Sequence, residues 1–165
     1  MIVLVNTSIL AQTPIIEFKD STYDEGYSTY LYANDNVVLN FSSSVYDGLS
    51  NQRITFDNQL IIDSLGIVKK HLIIDSMDYP GYSIYIPVLI EKDNFIYQFG
   101  NLVSYDAKQF RVLIRKSDSQ LNLLFDTIVN LNNRFFFFTE GVIDSSDMVL
   151  TGISSTSGFV FRFDK

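Results

Sequence analysis

The chain of 165 residues contains no cysteine, no tryptophan and a single histidine, His71. Without cysteine there are no disulfides, no thiolate nucleophile and no Cys-based zinc site. One histidine excludes zinc sites built on several imidazoles, and any Ser-His-Asp triad would have to use it. His71 follows Lys69 and Lys70 at the edge of an apolar segment, and no nucleophile motif accompanies it, so it reads as structural. No run approaches the ~20 apolar residues of a membrane-spanning helix. No window places apolar residues at i, i+3, i+4 and i+7, so helices are not expected. Glycine-rich phosphate loops are missing too; Gly141, Gly152 and Gly158 are isolated turn or bulge residues. Basic residues number 12 against 19 acidic ones, a net charge of −7. That sign is repelled by phosphate backbones and anionic membrane surfaces, so neither nucleic acid binding nor membrane insertion is expected.

What is present is apolar and aromatic. Hydrophobic residues make up 47% of the chain, with 14 Phe and 10 Tyr, enough for a folded domain with a substantial core. The clearest pattern runs from Tyr82 to Asn130, where four segments alternate with the period of a strand. In the first, 82–90, Tyr82, Ile84, Ile86, Val88 and Ile90 fall on one face. In the second, 94–99, Phe95, Tyr97 and Phe99 fall together. The third, 109–116, sets Phe110, Val112 and Ile114 against Gln109, Arg111, Leu113 and Arg115. In the fourth, 121–129, Leu121, Leu123, Phe125, Thr127 and Val129 share a face. The links at 91–94, 104–107 and 117–120 are short and rich in turn formers, which suits antiparallel neighbours. Pro87 cannot donate to a ladder and is expected at a bulge or on an unpartnered side.

Elsewhere strands are expected at 15–18, 27–32, 37–41, 53–56, 60–62, 67–74, 134–139, 148–152 and 159–163. Ser42–Ser50 reads as a serine-rich turn region, and Asp57–Gln59 and Asp63–Gly66 as turns. Residues 1–12 form a short apolar segment with Ala11 before Gln12, like the end of a secretory signal peptide without its basic n-region. Either the natural start lies upstream, or the segment is a first strand.

Three segments align: Asp35-Asn-Val-Val-Leu-Asn-Phe41, Asp93-Asn-Phe-Ile-Tyr-Gln-Phe99 and Ser146-Asp-Met-Val-Leu-Thr-Gly152. Their starts lie 58 and 53 residues apart (93 − 35 and 146 − 93). A four-stranded unit repeating about every 50 residues is the size of a kelch-like propeller blade. Residues 13–165 then divide into units of about 27–76, 77–130 and 131–165, the last incomplete. Leu150-Thr-Gly-Ile-Ser followed by Gly158-Phe-Val-Phe-Arg-Phe-Asp164 resembles blades of secreted bacterial β-propeller-like repeat proteins, over roughly residues 27–165. The resemblance implies an all-β fold of antiparallel four-stranded blade-like repeats forming a partial β-propeller, export from the cell, and a place near the N-terminus of a longer protein. Many members carry a C-terminal sorting domain for type IX secretion, which this sequence lacks. Blades of that kind often place a Trp in the outer strand, where this chain has Phe125. The alternative fold is a β-sandwich whose repeat is coincidental.

No residue pattern commits the chain to a reaction, a cofactor or a metal. Asp35, Asp75, Asp78, Glu91, Asp93, Asp118, Glu140, Asp144 and Asp147 are the carboxylates to weigh for glycoside hydrolysis. Nearly all sit in turns, where Asp caps the backbone. Neither Asp75-Ser-Met-Asp78 nor Asp144-Ser-Ser-Asp147 has the spaced ligands and closing Glu of a calcium loop. Phe135–Phe138 place two rings on each face of a strand, as for an inner strand covered on both sides. Tyr27, Tyr30, Tyr32, Tyr79, Tyr82 and Tyr85 bracket strand starts and serve either as core or as sugar-stacking rings. The expected function is a non-enzymatic, exported scaffold or interaction module with an unidentified protein or carbohydrate ligand, able to self-associate through open sheet edges. The alternatives are part of a carbohydrate-active propeller enzyme and a sandwich adhesion domain. An enzyme requires converging carboxylates, at least one with a raised pKa.

Overall fold

The computed structural model describes residues 2–5, 15–18, 23–33, 35–47, 52–75, 78–130, 136–144, 147–154 and 157–163. Among them all regular structure is β: β1 (Ile2–Val5), β2 (Ile15–Phe18), β3 (Tyr23–Ala33), β4 (Asn36–Asp47), β5 (Gln52–Ile62), β6 (Val68–Ile74), β7 (Tyr82–Lys92), β8 (Phe95–Ser104), β9 (Phe110–Asp118), β10 (Leu123–Asn130), β11 (Phe136–Asp144), β12 (Asp147–Ser154) and β13 (Gly158–Phe163). The first two pair with each other. The rest form three sheets in chain order, β3-β4-β5-β6, β7-β8-β9-β10 and β11-β12-β13, every neighbour antiparallel. The all-β expectation is met. Among the described residues the sheets form an open array that does not close into a barrel or propeller. The candidate processing point at Ala11–Gln12 lies outside the described residues.

Turn chemistry sets the connections. Between β7 and β8, Asp93 (φ 55°) and Asn94 (φ 64°) both adopt the left-handed conformation, the type I′ geometry whose twist matches the flanking strands. The β5–β6 and β9–β10 links are two copies of one device. Asp63 Oδ1 accepts from the amides of Leu65 and Ile67, and Asp118 Oδ1 from those of Gln120 and Asn122, all at 2.9 Å. Gly66 (φ 80°) takes the left-handed position in the first copy and Leu121 (φ 58°) in the second. Leucine is strained there, but its side chain is buried against Val38, Ile61 and Ile96.

Each sheet's first strand lies on the face of the preceding sheet: β7 against β3, β4 and β5, and β11 against β7, β8 and β9. The middle sheet is therefore covered on both sides, unlike either layer of a two-sheet sandwich. Each first strand also carries a bulge, between Glu25 and Ser28, Tyr85 and Val88, and Phe138 and Glu140. The hairpins close at Ala33↔Asn36, Lys92↔Phe95 and Asp144↔Asp147, so the bulges end five, four and four residues before closure (33 − 28, 92 − 88, 144 − 140). Val37–Phe41, Phe95–Phe99 and Met148–Gly152 all open the second strand of their sheet. The alignment needs one adjustment, because Phe95 rather than Asn94 matches Asn36 and Asp147, giving spacings of 59 and 52 (95 − 36 and 147 − 95).

Pro87 sits in the β7 bulge, where its missing N–H costs no ladder bond. The inserted residue overturns the single face expected for 82–90. Ile84 and Ile86 pack with Ile74, Tyr79, Leu102 and Leu113 between the first and second sheets. Val88 and Ile90 pack with Phe99, Val112, Phe138 and Leu150 between the second and third. A bulge shifts side-chain parity, and a strict two-residue period cannot anticipate it.

Gly100 is the residue opposite the bulge. A Cβ there would lie 2.4 Å from the Tyr85 carbonyl oxygen and 2.9 Å from Ile86 Cγ1, and the main-chain contact cannot swing aside. Gly100→Ala is expected to destabilise by about 1–3 kcal/mol, read as a lower urea midpoint. An unchanged midpoint would contradict the close approach.

Two turn assignments are corrected. Asp57–Gln59 is not a turn; it continues β5 through Gln52–Ile62. Ser42, Ser43 and Ser44 are buried within β4 rather than in a turn. Both stretches are polar because they bond across and between sheets, not because they face water.

Candidate functional site

The most concentrated chemistry lies in a buried polar seam between the first two sheets. Along β4 and β5, alternate residues facing the second sheet include Val38, Asn40 and Ser42, and Thr55, Asp57, Gln59 and Ile61. Asn40 Nδ2 donates to Asp57 Oδ1 (3.2 Å) and to the carbonyl of Ile86 in the β7 bulge (2.6 Å). Gln59 Nε2 crosses to Gln98 Oε1 (2.9 Å), and Gln98 passes a hydrogen bond on to Ser117 Oγ (3.0 Å). Tyr85 OH donates to Thr55 Oγ1 (3.2 Å), and the Thr55 amide to Ser83 Oγ (3.3 Å).

Asp57 is fully buried. Burial pushes its carboxyl well above the usual carboxylate range; Asn40, the positive charge of Arg115, Ser42 and the Ile86 amide pull the other way without offsetting it. Arg115 on β9 is 6% exposed, and its guanidinium carbon stands 6.0 Å from the centre of the Tyr79 ring. Tyr79 OH donates to Asp126 Oδ2 (2.8 Å). Burial raises the phenol's pKa, with Arg115 opposing and Asp126 adding to the rise. Arg115 Nε and Nη1, Asp57 Oδ2, Asn40 Oδ1 and Gln59 Oε1 are buried without a hydrogen-bond partner. These are two donors and three acceptors within one seam, a set that ordered water bridges in protein interiors.

The second interface repeats one contact of the first. Asn101 Nδ2 on β8 donates to the Phe136 carbonyl on β11 (2.6 Å), and its Oδ1 accepts from the Phe138 amide (3.4 Å). At both junctions an asparagine on a second strand thus holds the backbone of the next sheet's first strand. Around Asn101 the interface is otherwise apolar, with Phe99, Phe138, Phe159, Phe161 and Phe163 in mutual ring contact.

A shallow cleft of about 230 Å3 opens where the β7 and β11 bulges meet, lined by Pro87, Val88, Leu89, Thr139, Glu140, Gly141 and Val142. Gly141 permits the approach, since a Cβ there would stand 2.6 Å from Val88 Cγ1. The lining offers one carboxylate and one hydroxyl against an apolar wall.

The residues singled out from sequence do not converge. His71 Nε2 donates to Asn58 Oδ1 (3.0 Å), and Asn58 Nδ2 to Ser43 Oγ (2.6 Å), on the face of the first sheet away from the seam. At the turn before β7 the Asp78 carboxylate accepts from the Asp75 amide (3.4 Å), and the Asp75 main-chain carbonyl accepts from the Asp78 amide (3.1 Å). Asp144 and Asp147 close the β11–β12 hairpin and both meet Arg162. Asp118 caps its own turn, and the hydrogen bonds of Asn122 hold its carboxyl below the usual range. Glu91 accepts from the Asn94 amide (3.1 Å). Among the described residues no three His, Asp or Glu side chains gather in a way that would hold a metal ion. The expectation for the Phe run is met at Phe138, which is buried, while Phe137 tilts against Tyr85 (6.2 Å between ring centres); Phe135 lies outside the described residues. The seam residues Asn40, Asp57 and Arg115 were not singled out by sequence. Their signal is polar residues alternating in step with Val38, Ile61 and Leu113. No family model, curated protein or solved structure matches the chain.

Proposed function

We propose that the chain is an exported, non-enzymatic scaffold or interaction module, built of β-propeller-like repeats that form part of a larger ring. The observation that carries this reading is the stacking: three antiparallel meanders in chain order, each entering on the face of its predecessor through a strand bulged at a corresponding place. Sheets related in this way add one after another, as propeller blades do. Among the described residues the carboxyl raised by burial is that of Asp57, which is sealed between two sheets beyond a substrate's reach. That favours a structural role for it over general acid catalysis. Export rests on the sequence pattern alone, an apolar N-terminal segment ending near Ala11 like the end of a signal peptide, whereas Ile2–Val5 of that segment pairs as a strand with Ile15–Phe18.

One observation favours the carbohydrate-active alternative: Glu140 stands in the cleft between two bulges. A panel of chromogenic glycosides assayed with the wild-type chain and with Glu140→Gln separates the readings. The scaffold reading expects no turnover that depends on Glu140. Hydrolysis that disappears in Glu140→Gln would replace it with the enzyme reading.

A further inference from the structure

We propose that β10 is a self-docking edge, pairing antiparallel with β10 of a second copy about a two-fold axis at Thr127. β10 is one of the two edge strands of the middle sheet, and among the described residues no strand pairs with its outer side. It is also the most exposed apolar strand described: Leu123 (49%), Leu124 (54%), Phe125 (53%), Ile128 (42%) and Val129 (36%) all reach solvent, on both faces of the sheet.

Edges of this kind are normally blunted by charge, proline or brevity. The corresponding last strand of the first sheet, β6, follows that rule, carrying Lys69, Lys70 and His71 in seven residues. β10 does not. In eight residues it has no proline and one charge, Asp126, which is occupied by Tyr79 OH at 2.8 Å.

The occupant follows from register. Two antiparallel copies of one strand meet about an axis through a residue, because opposed side chains must share a face. Centred on Thr127, the threonine meets its own copy, Phe125 meets Val129 twice, and Ile128 meets Asp126 twice. No like charges oppose, and the aromatic and β-branched pairs are of the kind that stabilise neighbouring strands. Centred on Asp126, two carboxylates would face each other, which selects against that register. The result is a continuous sheet with four strands from each copy. This inference stands on the edge itself, so its failure leaves the proposed scaffold function untouched.

The absence of cysteine makes the test direct. Cross-strand partners stand about 4.5–5.5 Å apart at Cβ, near the span of a disulfide. Thr127→Cys should therefore link to itself under mild oxidation at dilutions where Leu65→Cys, an exposed turn control, stays monomeric. Sedimentation velocity of the unmodified chain should show a dimer that dissociates on dilution. Thr127→Lys, which opposes two ammonium groups on the axis, should raise the dissociation constant at least tenfold, and Phe125→Lys should do so with Thr127 intact. A chain monomeric at every accessible concentration would overturn the proposal. So would a dimer indifferent to both lysine variants, or Thr127→Cys cross-linking no faster than Leu65→Cys.

Discussion

Phe138→Ala is expected to lower stability by about 3–5 kcal/mol, the range for truncating a fully buried phenylalanine. The side chain is 1% exposed at the centre of the interface between the second and third sheets. It meets Phe99 (6.3 Å, interplanar angle 63°), Phe159 (5.9 Å, 78°) and Phe161 (6.4 Å, 60°), all in edge-on arrangements. Edge-to-face pairs contribute beyond the area they bury, and they come from two different sheets. Its backbone is fixed by Asn101 from the same neighbour, so the cavity cannot readily collapse. Urea unfolding followed by far-UV circular dichroism measures the loss. A loss below about 1 kcal/mol, well under the buried-phenylalanine range, would mean that the third sheet is not docked on the second as described.

The second large effect depends on pH. Burial raises the Asp57 carboxyl above its value in the unfolded chain, about 3.9. Between that value and the native one, the folded chain binds more protons than the unfolded chain, so stability falls as pH rises through the window and levels off above it. The contribution is fully present below pH ~3.9 and lost above the native pKa. Asp57→Asn keeps the shape and an oxygen for Asn40 Nδ2 while removing the titration. It should match the wild type in strong acid and exceed it at neutral pH, by about 1.4 kcal/mol for each unit separating the two pKa values. Urea midpoints at pH 3.5 and 7 decide the matter. If the wild type gained on Asp57→Asn as pH rose, the carboxylate would be stabilised by Arg115 more than it is penalised by burial, and the described balance would be reversed.

Much of this architecture could be read locally. The four strands of 82–130 show in their alternation, although bulges at Tyr85–Val88 and Leu123–Phe125 break the single face expected for 82–90 and for 121–129. Asp93-Asn94 and Asp118 mark their turns by residue type alone, because a turn's chemistry is contained within a few neighbours. What escaped was everything that depends on a partner distant in the chain. Asp57 and Gln59 look like turn residues until Asn40 and Gln98 are brought beside them, 17 and 39 residues away. Ser42–Ser44 mislead for the same reason. The change of face within β7 escaped because one inserted residue reverses the alternation, and Pro87 pointed to the bulge without saying which residues change sides. The candidate site was least legible, since an aspartate's burial is a property of two sheets and not of its own strand.

That change of face gives β7 two masters. Its first half belongs to the core shared with the sheet before it, its second half to the core shared with the sheet after it. The three sheets are thus not beads that could be parted at their linkers and kept whole. A break in the chain between β10 and β11 would leave Val88 and Ile90 without a roof, and one between β6 and β7 would do the same to Ile84 and Ile86. Whatever shears one junction is felt at the other through a single eleven-residue strand.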